Sequence, residues 1–153
     1  MTMKKFVFPI YLLILGIAFF STSCGGTLID PEYRIVNLWS VSHAYCNGVE
    51  VDSTTFDTDD PYYQAYMPST LYYIYADHVL NVHLIYHGLI RQSTFGTWVV
   101  NKSEKTLKLE FVVLGRQYSF LADIIKMSRR EMILEFDDDN GHWRLELYAQ
   151  TNY

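Results

Sequence analysis

The sequence predicts an all-β protein, an eight-stranded antiparallel up-and-down barrel behind an N-terminal targeting segment. Three observations carry this. Apolar and aromatic residues alternate with polar ones at period two over eight stretches. The links between these stretches are mostly short, which makes sequential strands antiparallel neighbours. No helix with convincing caps follows residue 30, so nothing covers the inner face of such a sheet, and closure on itself removes its edges. The composition agrees: 13 of the 153 residues are tyrosine and only 4 are proline, a bias towards sheet.

The strands follow in order. The first runs over Ile35–Cys46 and ends at Asn47-Gly48. Leu71–Ala76 and Val79–Tyr86 are joined through Asp77-His78, and His87-Gly88 turns the chain into Leu89–Val100. The stretch 101–105 leads to Thr106–Leu114, and Gly115-Arg116 turns into Gln117–Met127. Residues 128–131 lead to Met132–Phe136, and 137–141 turn into His142–Ala149. Within a strand the faces separate: Leu107, Leu109, Phe111 and Val113 oppose Lys108 and Glu110, and Trp143, Leu145 and Leu147 oppose Arg144 and Glu146. One face is core and the other meets water. In the sixth strand Tyr118, Phe120 and Ala122 share one phase and Ile125 and Met127 the other, which calls for a bulge near Asp123.

The chain divides into a signal over 1–23, a tether over 24–33 and the barrel over 34–153. Lys4 and Lys5, an apolar run from Phe6 to Phe20 and the small residues Ser21, Thr22 and Ser23 describe a secretory signal, too short in its apolar part for a spanning helix of about 20 residues. Cys24 follows at once, with Gly25 and Gly26 behind it. This order resembles a bacterial lipoprotein signal, which implies cleavage before Cys24, a diacylglyceryl thioether on its sulfur and a membrane partner. Gly25 after the cysteine implies the outer membrane by the same resemblance. A disulfide between Cys24 and Cys46 is the competing reading; a thioether consumes the Cys24 thiol and leaves Cys46 as a small, quiet residue. Cleavage takes away two of the 12 basic residues and no acid, so the remaining chain has 10 basic groups against 17 acidic ones, a formal charge of about −7. Such a chain is a poor nucleic-acid partner.

Beyond the signal, "LWSV" (38–41), "GTWVVN" (96–101), "LKLEF" (107–111), "IIKMSRREMILEF" (124–136) and "WRLEL" (143–147) together resemble the lipocalin-like lipoproteins of bacteria. The resemblance covers about residues 35–150 and implies a barrel that binds a ligand or a partner and catalyses no reaction.

No catalytic signature stands out in the residues themselves. "HVLNVHLIYHG" (78–88) holds three histidines, but on a strand His83 and His87 stand roughly 13 Å apart at ~3.3 Å per residue, too far to share a metal. They are expected as exposed groups on the outer face with Asn81. No metal and no cofactor is expected. The connection 47–70 is long and therefore notable; it carries Asp57, Asp59 and Asp60, then Tyr62, Tyr63 and Tyr66. It is expected over the mouth of the barrel, either as a lid whose tyrosines touch a ligand or partner, or as a plug.

Tyr45, Tyr86, Tyr118, Phe136 and Trp143 are expected to point inward near that mouth, joining Tyr63 and Tyr66 as the ligand-binding set, with Trp39 and Trp98 closing the floor. Counting ends groups Asp137, Asp138 and Asp139 with the loop aspartates at the mouth. Lys102, Lys105, Arg129 and Arg130, with Arg34 and Lys126, gather at the base where the tether enters. The resulting expectation is a non-catalytic, lipid-anchored envelope protein holding a small apolar or amphipathic ligand. The alternative is a packed barrel that serves as an interaction module for an envelope protein complex.

Overall fold

A computed structural model of the chain describes residues 34–52, 65–86 and 88–150, without the side chain of Tyr86. It shows the expected closed antiparallel barrel. The strands are β1 (Asn37–Cys46), β2 (Val49–Glu50), β3 (Leu71–Ile74), β4 (Val79–Tyr86), β5 (Leu89–Asn101), β6 (Thr106–Val113), β7 (Arg116–Met127), β8 (Glu131–Asp138) and β9 (Gly141–Ala149). Neighbours pair in chain order from β3 to β9, β1 pairs with β3, and the ring closes where β1 pairs with β9. The two-residue β2 is an addition outside the ring: it folds back on β1 across Asn47-Gly48, pairing Cys46 with Val49. Both turn residues have positive φ, 51° and 79°, as a two-residue type I′ hairpin requires.

Alternation fills the ring. Leu107, Leu109, Phe111 and Val113 of β6 and Trp143, Leu145 and Leu147 of β9 all lie in one core cluster with Trp39, Trp98, Leu80, Met132 and Leu134. This cluster and every rung of the barrel ladder fall between Ile35 and Ala149. Among the described residues, the hydrogen-bonded ring and its core thus lie within this segment.

Two register irregularities set side-chain directions. In β7 the bulge lies between Ile124 and Lys126, so the inward series runs on through Ile124 and resumes at Met127. Ile125 points out and is exposed, contrary to the inward phase expected of it. In β1 the register shifts between Val41 and His43. Trp39 and Val41 face in, the extra residue Ser42 donates its hydroxyl to the carbonyl of Glu146 (2.9 Å), and Ala44 and Cys46 then take over the inner face. Tyr45 is therefore turned to the outer wall, and the expectation that it lines the interior is corrected.

One close approach explains a glycine. Gly96 on β5 is paired with Phe111 on β6. A methyl group there would run into the carbonyl oxygen of Glu110 and the Cβ of Phe111, so β5 and β6 meet at a distance only glycine permits.

Candidate functional site

Four of the expected mouth residues, Tyr66, Tyr118, Phe136 and Trp143, come together as an aromatic plug. Strand parity brings Tyr118 and Phe120 of β7, Phe136 of β8 and Trp143 of β9 to the inner face near the mouth, all buried. Tyr66 enters from the far arm of the 47–70 connection and is only 3 % exposed. Its ring centroid lies 4.7 Å from that of Trp143, 5.3 Å from Phe136 and 5.7 Å from both Tyr118 and Phe120. Phe120 and Phe136 stack at 4.2 Å, and Phe111 stacks on Tyr118 at 5.0 Å. Edge-to-face and offset pairs at these separations are each worth about 0.5–1.5 kcal/mol beyond area burial. Phe111 and Phe120 belong to the cluster although sequence reasoning did not assign them to the site; their apolar parity was the signal.

Both described arms of the connection are tied to the barrel. Val51 donates its amide to Ala44 O (2.8 Å), Ser69 to Val41 O (2.8 Å), and Val41 in turn to Thr70 O (2.9 Å). The Tyr72 hydroxyl donates to Ala65 O inside the core; burial pushes that phenol far above its usual range. The described part of the connection is thus a core element and not a flap lying outside the ladder. Tyr63, Asp57, Asp59 and Asp60 lie outside the described residues, as do Cys24 with the expected signal and tether, and the side chain of Tyr86.

At the floor, Trp39 and Trp98 are fully buried as expected. Trp39 Nε1 donates to Ile35 O (2.7 Å) and Trp98 Nε1 to Tyr75 O (2.8 Å). At the rim of the mouth, the acidic turn is put to structural use. Asp138 accepts from Trp143 Nε1 (3.0 Å) and from the amide of Asn140 (2.9 Å), and Asp137 meets His142 Nδ1 at 2.9 Å. Cys46 is a buried free cysteine. Burial first, then the charge of Asp138, pushes its thiol up, which makes it a poor nucleophile.

The outer wall carries the other candidate surface. Register aligns Tyr73 of β3 with Asn81 of β4 and Asn81 with Phe95 of β5, and Val112 of β6 stands beside Phe95, one step from the Gly96–Phe111 pair. Phe95 is 70 % exposed, and Tyr75, Val112 and Leu114 are exposed with it. Asn81 and His83 were expected exposed on this face. Instead Asn81 is only 9 % exposed and accepts from Ser93 Oγ (2.9 Å), and His83 packs its ring on Tyr73 at 4.8 Å. Desolvation within this aromatic patch lowers the pKa of His83.

A third feature lies at the base. An open cavity of about 280 Å³ is bounded by Arg34, Asn101, Lys102 and Lys105, over an apolar floor of Val100, Ile124, Ile125 and Met127. The topology does bring the β5–β6 and β7–β8 turns to this end, so the expected basic groups share it. Acids share it too: Glu104 lies in the same turn, and Lys126 is paired with Glu131 at 2.6 Å.

Compared with known proteins, the chain matches no family model and no curated sequence.

Proposed function

We propose that this chain is a lipid-anchored envelope protein whose packed barrel serves, without catalysis, as a protein-interaction module. The observation that carries the reading is Tyr66. Its ring occupies the space between Tyr118, Phe136 and Trp143 that a ligand in the mouth would need. Binding sites for small molecules are concave and usually preformed, with about 300 Å³ or more of space. With Tyr66 in that space, recognition is directed to the outside, and the patch around Phe95 is the apolar outer surface suited to it, since aromatic residues dominate protein interfaces. The basic start, apolar run and Cys24 support the anchor, and the lipocalin-like resemblance supports an envelope role.

A second reading has one observation in its favour. The ring that fills the mouth belongs to a connection and not to a strand, so a small apolar or amphipathic ligand could take its place while the ladder stays intact.

The experiment is purification of the chain from its host membranes. The expected outcome is fatty-acid label on the wild type and none on Cys24→Ser, which leaves the membrane. A protein partner should be retained by the wild type and lost with Phe95→Asp, with no stoichiometric small molecule released on denaturation. A tightly held amphiphile, and a partner indifferent to Phe95→Asp, would establish the second reading instead.

A further inference from the structure

Basic and apolar side chains converge on one edge of the base. Arg34, Lys102 and Lys105 line the open cavity there, and its floor is Val100, Ile124, Ile125 and Met127. The Nε of Arg34 is buried and has no hydrogen-bond partner among the described residues. It is a donor left for an acceptor that the described residues do not supply. Beside the cavity, on the outer wall, β-ladder register sets Val99 of β5 across from Lys108 of β6, and Lys108 across from Leu121 of β7. Val99, Leu121 and Ile125 are 57 %, 59 % and 52 % exposed. Three large apolar groups on a wet wall need an explanation when Lys108 stands between two of them.

We propose that this edge docks on an anionic lipid surface. The cavity takes a phosphate-bearing headgroup between Arg34, Lys102 and Lys105, and Val99, Leu121 and Ile125 enter the boundary between headgroups and acyl chains. Charge complementarity selects the occupant, since cations over an apolar floor match an anionic head on a hydrocarbon stem. Lysine and arginine stems lie along apolar surface while their charges reach phosphate, and each basic group close to an anionic membrane contributes about a factor of five in affinity. The place of the edge agrees. The chain enters the barrel at Arg34, on the cavity itself, so 33 residues with the apolar run of 6–20 precede this very point. A protein held at Cys24 would bring this edge to the lipid and turn the mouth and the acidic β8–β9 turn away. The inference extends the proposed function and is separable from it: partner capture is read at Phe95 on one wall, lipid docking at the base.

The test uses residues 34–153, whose folding is first verified by circular dichroism, and vesicles of phosphatidylcholine with or without phosphatidylglycerol. At low salt the wild-type domain should float with the anionic vesicles, remain free of the neutral ones and be released by added salt. Combining Arg34→Gln, Lys102→Gln and Lys105→Gln should weaken binding about a hundredfold. Val99→Ser with Leu121→Ser, on the exposed wall, should weaken it at unchanged charge, and Arg91→Gln, in the strand that starts at the mouth, should leave it as it was. Circular dichroism confirms the fold of each variant. The proposal is overturned by an unbound wild type at low salt, by equal losses with Arg91→Gln, or by full competition from soluble glycerol phosphate, which would mark a small-anion site. It is also overturned if residues 24–153 carrying Cys24→Ser bind no vesicles while 34–153 do, because the cavity would then belong to the chain's own preceding segment.

Discussion

Tyr66 is the residue on which the inside of this barrel depends. It touches four aromatic rings contributed by β7, β8 and β9, so truncation to alanine would leave a hole whose walls are held apart by strand pairing and collapse little. Removing a large aromatic from such a site costs about 3–5 kcal/mol, against a total stability of about 5–15 kcal/mol for a domain. Tyr66→Ala is expected to lower the unfolding free energy measured in urea by that amount while the circular dichroism of the folded state keeps its β signature. Tyr66→Phe, which keeps the ring, should lose far less. Tyr66 was among the residues the sequence singled out, yet its role stayed undecided between lid and plug. Nothing in an irregular connection carries periodicity, so the direction of its side chains cannot be read from pattern. Tyr45 shows the opposite failure. Its strand was recognised, but one extra residue at Ser42 reversed its face. The reversal was legible in principle, because polar His43 falls in phase with Trp39 and Val41 while Ala44 and Cys46 take up the alternate phase.

At the scale of elements, the critical join is the seam where β1 meets β9, since it turns a sheet into a ring. Asn47 locks its upper end. Its amide nitrogen donates to His142 O (2.8 Å), its side-chain oxygen accepts from the His142 amide (3.0 Å), and its side-chain nitrogen reaches Asn140 O (3.4 Å). It does so at φ 51°, which asparagine tolerates better than other side-chain-bearing residues. Asn47→Ala is expected to cost about 1–2 kcal/mol in chemical denaturation, and Asn47→Gly should recover the backbone share alone. Gly141→Ala should harm the same seam, because a methyl there collides with the Asn47 amide and the backbone sits at φ 137°. The eight strands of the ring were readable because each is wet on one side and dry on the other, and the turns between them carry Gly48, Gly88, Gly115 and Gly141 at positive φ, although His78, Lys105 and Leu114 take positive φ as well. The short β2 was not, because two exposed residues make no pattern; only Asn47-Gly48 hinted at it.

For the whole molecule, closure makes one core out of the eight strands of the ring. Trp39 and Trp98 lie buried at the base and Trp143 at the mouth, so tryptophan emission samples both ends while far-ultraviolet dichroism reports the ladder. The two signals are expected to follow a single thermal transition, as a two-state domain requires; emission that changes before the dichroism would mean the ends open independently. Charge is distributed less simply than the sequence alone implied. The base holds Lys102, Lys105, Arg129 and Arg130 together with Glu104 and Glu131, and the mouth holds Arg116, lying over Tyr118 at 5.8 Å, beside Asp137, Asp138 and Asp139. Turn positions are countable from the order of strands, but how acids and bases neutralise one another across neighbouring strands depends on register, which only the folded ring supplies.

The Tyr66 plug gives this architecture an unusual economy of change. In most containers the wall decides what fits within, and altering the contents means rebuilding the wall. Here the filling at the mouth is carried on a strap that joins two staves, so a single codon could open a void there without moving any rung of the ladder. The void, lined by Tyr118, Phe120, Phe136 and Trp143, would be largely apolar, and apolar voids of this kind stay dry and admit small aromatic guests. A receptor is thus latent in the protein, one side chain away from its occupied state.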